Sequence, residues 1–189
     1  MPAFSTVLAI PRLWFWLIAV IGLVSVVVVL LDRRAGPVAR LLGLSVVVVV
    51  FALVLFVAFR PRTFTADSAG IRGDPFYRLD IQWEDLTSPV YRGDRDELYA
   101  QGLMLTSRRN GASVGRINAG RFRTENGTEL IVVMDSAPDV DVFMFQTDQS
   151  WHLISLEPPG ELAAVFTAYA PHGLREGIPE IAGGDSPQN

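Results

Sequence analysis

The sequence predicts two apolar helices joined as a hairpin, then a mainly-β domain closed by one C-terminal helix. Three observations carry this expectation. Two nineteen-residue stretches near the N-terminus hold no charged residue. Beyond residue 63 the chain breaks into short alternating runs separated by glycine, proline and asparagine-glycine turns. A proline-led amphipathic stretch follows the last of those runs.

The uncharged stretches are residues 13–31, LWFWLIAVIGLVSVVVVLL, and residues 41–59, LLGLSVVVVVFALVLFVAF. As helices rising about 1.5 Å per residue, each is roughly 28 Å long, close to the ~30 Å hydrocarbon core of a bilayer. Valine runs favour strands, but nineteen buried residues are too many for one strand, and lipid demands a backbone bonded within the segment. Both stretches lack a polar face and are bracketed by Arg12, Arg33, Arg34, Arg40, Arg60 and Arg62. The first exceeds the ~7–15 apolar residues of a signal peptide, and no small-x-small site follows it. Two transmembrane helices are therefore expected at 13–31 and 41–59. The connection DRRAGPVAR centres on Gly36-Pro37 and is short enough to force an antiparallel hairpin. The bilayer is then the first partner and the plasma membrane the location, as a multi-pass protein. Basic residues nearly balance on the two sides of the spans, and a cytoplasmic β-domain is the orientation taken.

All sixteen basic residues are arginine, and there is no cysteine. No P-loop or Schiff-base lysine exists, and the redox compartment is not legible. Six arginines and one aspartate in residues 1–63 give +5, whereas ten arginines and nineteen carboxylates in 64–189 give −9. A domain at −9 is not a general nucleic-acid binder, and no nucleic-acid partner is expected.

Turns are expected at Ala69-Gly70 and Gly73-Asp74-Pro75. Tyr77, Leu79, Ile81 and Trp83 alternate with polar residues, which predicts a strand with one buried face. Residues 94–105 read as one or two helical turns leading into a strand. Asn126-Gly127 predicts a two-residue type I′ hairpin. That register sets Arg123 opposite Leu130 and Phe122 opposite Ile131. It puts Phe122, Ile131 and Val133 on one face and Arg121 and Arg123 on the other. Residues 140–146 and 150–156 form a second hairpin around Thr147-Asp148-Gln149. EPPGELAAVFTAYA then places Leu162, Val165, Phe166 and Tyr169 on one helical stripe. A domain over 63–170 and a flexible tail over 171–189 are expected.

DIQWEDL, then RRNGASVGRINAGRF, then WHLISLEPPGELAAVF resembles the bacterial pleckstrin-homology-like (PH-like) domain family. The matching features are a W-x-D-L-like segment after an early strand, an R-x-N-G run leading to a G-x-F strand, and a last strand running into a proline-bearing helix start. The resemblance covers residues 63–169 and extends to the membrane hairpin that often precedes such domains. It implies a bent antiparallel barrel of two near-orthogonal sheets capped by a C-terminal helix. Its motifs are structural, not catalytic. The acidic remainder of the domain departs from phosphoinositide-style recognition.

Catalytic, metal and cofactor sites are not expected. His152 and His172 lack ligand spacing, and Asp135, Asp139 and Asp141 lack the pattern of a calcium loop. Gly111, Gly115 and Gly120 fit turns and bulges, not a dinucleotide fingerprint. The feature out of character is a run without carboxylates that holds Arg108, Arg109, Arg116, Arg121 and Arg123. It reads either as a solvated hairpin face or as a docking face for an anionic partner. The expected function is a non-enzymatic integral membrane protein that presents a PH-like domain as a protein-interaction platform. The alternative is binding and orientation on anionic lipid headgroups through the Arg108–Arg123 face.

Overall fold

A computed structural model describes residues 1–7, 12–31, 36–59, 63–73, 78–114, 116–137 and 140–181. Residues 32–35 of the helix connection, the turn at Asp74-Pro75, Tyr77, Gly115, Asp139 and the tail beyond 181 lie outside them. The chain forms two units: residues 9–61, and a β-unit made of residues 1–8 together with 62–189.

The first unit holds helices α1 (Arg12–Leu31) and α2 (Pro37–Phe59). Gly22 on α1 makes room for the Phe51 ring of α2, since a Cβ there would stand 2.5 Å from it. Val20, Ile21, Leu23, Val24 and Val28 on α1, and Leu41, Leu42, Val46 and Val49 on α2, are exposed. Among the described residues, no helix is long and apolar enough to cross a membrane. That finding corrects the transmembrane helices expected at 13–31 and 41–59, and with them the multi-pass, integral-membrane and plasma-membrane expectations.

The β-unit is built on two sheets. The smaller runs β1 (Phe4–Val7), β2 (Thr63–Asp67), β3 (Gly70–Gly73) and β4 (Leu79–Ile81) in order, with every pair antiparallel. The remaining strands are β5 (Val90–Gly93), β6 (Leu105–Val114), β7 (Ile117–Thr124), β8 (Glu129–Asp135), β9 (Val142–Gln146), β10 (Trp151–Ser155) and β11 (Leu174–Glu176). They form one sheet ordered β11-β5-β9-β10-β8-β7-β6.

Two features correct the antiparallel barrel implied by the PH-like resemblance. First, β10 pairs in parallel with β8, and β11 pairs in parallel with β5. Between β8 and β9 the chain passes one strand position, and β10 then fills the slot between them. β10 can do so because its side chains are apolar on both faces: Leu153 joins one core cluster and Ile154 the other. Second, the large sheet ends in two edges, β11 and β6, and so is open.

Each face of the large sheet carries its own core. The inner cluster joins Phe4, Phe64 and Ile71 of the small sheet to Ile131, Val133, Phe143, Phe145 and Ile154 of the large one. Helix α4 (Pro159–Tyr169) adds Leu162, Val165 and Phe166 to this cluster, and Trp83 stacks on Tyr169 with centroids 6.1 Å apart. The outer cluster joins Phe122, Leu130, Val132, Met134, Val142, Met144 and Leu153 to Leu98, Leu103, Ile178 and Ile181. Leu98 comes from α3 (Arg95–Ala100), whose N-cap Asp94 accepts a hydrogen bond from the Glu97 amide. The expected flexible tail is thus corrected over its first part: β11 pairs with β5, and Ile178 and Ile181 are buried.

Trp83 is buried as expected, but in a 3₁₀ turn, Trp83–Asp85, that follows β4. Its indole N–H donates to the Asp67 carbonyl at 2.9 Å.

Candidate functional site

The turn at Asn126-Gly127 decides where the arginines point. The Thr124 amide donates to the Thr128 carbonyl at 2.9 Å, and the Gly127 amide donates to the Thr124 carbonyl at 3.1 Å. Among the described residues only glycines adopt positive φ, Gly127 among them at 90°. The loop is therefore the three-residue form with glycine in the left-handed position, not a type I′ turn. Asn126 spends its side chain on packing: its Oδ1 accepts from the Thr128 amide, and its Nδ2 donates to the Ile181 carbonyl at 3.2 Å.

One extra loop residue slips the register by one. Phe122 pairs with Leu130, Arg121 with Ile131 and Arg123 with Glu129. A slip of one exchanges the faces. Phe122 joins the outer cluster, while Arg121 and Arg123 share the inner face with Ile131 and Val133. This corrects the expected grouping of Phe122 with Ile131 and Val133.

The five arginines consequently do not share one face. Arg108 pairs with Phe122 across β6 and β7 and so lies on the outer face. The register shift between Arg108 and Asn110 makes Arg109 the additional residue of a bulge. Arg109 Nε lies 3.0 Å from a Glu129 oxygen. Arg116 Nε lies 2.9 Å from Asp135, and its Nη2 lies 3.5 Å from Glu157. Arg121 lines a cleft between the two sheets. The five arginines expected as one face are thus spread over both faces of the sheet.

The inter-sheet cleft measures about 320 Å³ and gathers Arg78, Asp80, Asp85, Arg121, Asp148 and His152. His152 is buried and stacks on Phe145 with centroids 5.2 Å apart. Its Nε2 is hydrogen-bonded to Thr147 Oγ1 at 3.1 Å. Burial, and secondarily the Arg121 charge, lower its pKa to about 4, so the ring is neutral near pH 7. The neighbouring charge that acts on it is a guanidinium, not a carboxylate. Asp80 faces Arg72 at 3.5 Å, and Asp85 accepts from the Gln82 amide at 2.9 Å. A hydroxyl stands beside the histidine, and among the described residues no carboxylate is hydrogen-bonded to the imidazole. Among the described residues, no three His, Asp or Glu side chains stand close enough to hold a metal ion.

A second concavity, of about 310 Å³, lies on the outer face between α3 and β6. Leu98, Phe122 and Met134 form its buried floor, and Tyr99 and Met104 stand exposed at its rim. Arg95 and Arg108 line it, and among the described residues no carboxylate does. Arg95 is anchored by donating from Nη1 to the Ser136 carbonyl and from Nη2 to those of Asp135 and Ala137.

β6 itself is the long edge of the domain. The other sheet edges among the described residues, β1, β4 and β11, have four, three and three residues, whereas β6 has ten. Thr106, Ser107, Arg108, Arg109, Asn110, Gly111 and Ser113 along it are exposed. The sequence reading took the run holding Arg108 and Arg109 as a solvated hairpin face or a docking face, and did not foresee an edge strand with no described strand pairing on its far side. The available signal was polarity on both faces of the run, which suits a strand with no layer over it. The groove beside it was not foreseen, because α3 and β6 meet only in the folded chain.

No family model, curated protein or solved structure matches the chain. The PH-like resemblance of residues 63–169 therefore rests on the motifs quoted above alone.

Proposed function

We propose that the β-unit is a non-catalytic interaction module that binds an extended segment of a partner protein by adding it as a strand along β6. The observation that carries this reading is the exposed ten-residue edge. An unpaired edge offers a row of backbone donors and acceptors, and proteins ordinarily shorten or cover such edges. The other three edges are short. The two register shifts of β6 lie between Leu105 and Asn110, which leaves Asn110 to Val114 regular opposite Arg121 to Ile117. That half carries no charge and no proline to block pairing.

The test is amide hydrogen exchange on the full chain, with peptides selected against it from a random nonapeptide library. Mild detergent keeps the apolar side chains of α1 and α2 dispersed. The expected result is slowed exchange at alternate amides of residues 105–114 in the presence of a selected peptide. Protection confined to the inter-sheet cleft, or a library that yields no binder, overturns the reading.

A further inference from the structure

We infer that the groove between α3 and β6 is the specificity pocket for the added strand. It accepts a large apolar side chain, with a carboxylate two residues away held by Arg108. This inference rests on the strand-addition reading and goes beyond it by naming the chemistry of the partner.

Three observations support the choice. The floor of Leu98, Phe122 and Met134 is apolar, and the groove's 310 Å³ falls within the range of ordinary ligand pockets, about 300–1,000 Å³. Exposed Tyr99 and Met104 at the rim extend the apolar surface outward.

The charge of the groove is inverted relative to its domain. Among the described residues Arg95 and Arg108 line it without a carboxylate, in a segment whose formal charge is −9. Among the described residues, no carboxylate lies within ion-pair distance of Arg108. Arg95 gives its terminal nitrogens to three carbonyls, and its Nε is buried without a hydrogen-bond partner. Beyond about 8 Å, charges elsewhere on the surface are largely screened at physiological salt. An anionic group over this groove therefore meets two lining guanidiniums, and among the described residues no carboxylate lines the groove beside them.

The third observation is geometric. A strand added to β6 lies about 4.8 Å beyond it, and its side chains alternate between faces. Those on the outer face stand next to Arg108, and a long apolar one reaches past Ser107 into the groove. The next outer-face residue is two positions along, where a glutamate or aspartate meets the Arg108 guanidinium in a charge-assisted contact. The bulge serves this arrangement by sending Arg109 to Glu129 and leaving Arg108 on the groove side.

The composition of the selected nonapeptides tests the pocket separately from the edge. The expected consensus holds an aromatic residue, leucine or methionine with an acid two positions away. Arg108→Glu is exposed and should fold normally; it should weaken such a peptide at least tenfold, and Glu→Gln in the peptide should do the same. Slowed exchange along β6 with a basic or featureless consensus, or with affinity unchanged in Arg108→Glu, overturns the pocket and leaves strand addition standing. Absence of protection along β6 overturns both.

Discussion

The Phe4 ring packs edge-to-face on Phe64, with centroids 6.0 Å apart and planes at 69°. Phe4 precedes α1 and Phe64 follows α2, so the chain leaves the β-unit, forms both helices and returns beside its own first strand. Both rings are buried in the inner core. Phe4→Ala is expected to cost the β-unit about 3–5 kcal/mol, the usual range for deleting a buried phenylalanine. Chemical denaturation followed by Trp83 fluorescence measures it. A loss below about 1 kcal/mol would show that β1 is not part of the cooperative unit.

His152 should make the fold acid-sensitive. Its folded pKa, about 4, lies below the ordinary 6.5, so the unfolded chain binds more protons between those values. The stability that the neutral ring contributes is complete above pH 6.5, falls as pH drops towards 4, and changes no further below it. The span corresponds to about 3 kcal/mol. In His152→Phe the part of the pH slope due to this group should vanish between pH 4 and 6.5. An unchanged slope in that variant would sink the assignment.

Gly120 faces Gly111 across β6 and β7 with φ at 139°, and a Cβ there would stand 2.2 Å from the Asn110 carbonyl oxygen. Gly120→Ala is expected to destabilise by about 2 kcal/mol or more, since backbone strain alone costs about 1–3 kcal/mol. Gly160, near the start of α4, has nothing within 4 Å of the corresponding position. Gly160→Ala should stabilise by about 0.4–1 kcal/mol. Thermal melts of the pair read the opposite signs directly.

Asn126 ties the β7–β8 loop to the C-terminal segment through its bond to the Ile181 carbonyl. Asn126→Ala should cost about 1–3 kcal/mol by leaving buried partners unsatisfied. It should also speed proteolysis near Ile178 and Ile181. Cleavage at the parental rate would mean that apolar burial alone holds the segment.

The sequence by itself determined what depends on near neighbours. The apolar runs became α1 and α2 because a long uncharged valine- and leucine-rich stretch satisfies its backbone as helix. The spacing of Leu162, Val165 and Phe166 determined the buried stripe of α4, and alternation determined that Leu79 and Ile81 point inward. Tertiary structure decided what depends on partners distant in the chain. Asn126-Gly127 announced a hairpin, but the Asn126 side chain's bonds to Thr128 and Ile181 accompany a longer loop, and that one residue moved Arg121 and Arg123 to the opposite face. β10 inserts in parallel beside β8, β6 stands at an edge of the sheet, and α3 forms the groove's other wall. Local propensity cannot encode either arrangement, because side chains that alternate by two change faces with any one-residue slip, and strand order is decided by which apolar faces find cover.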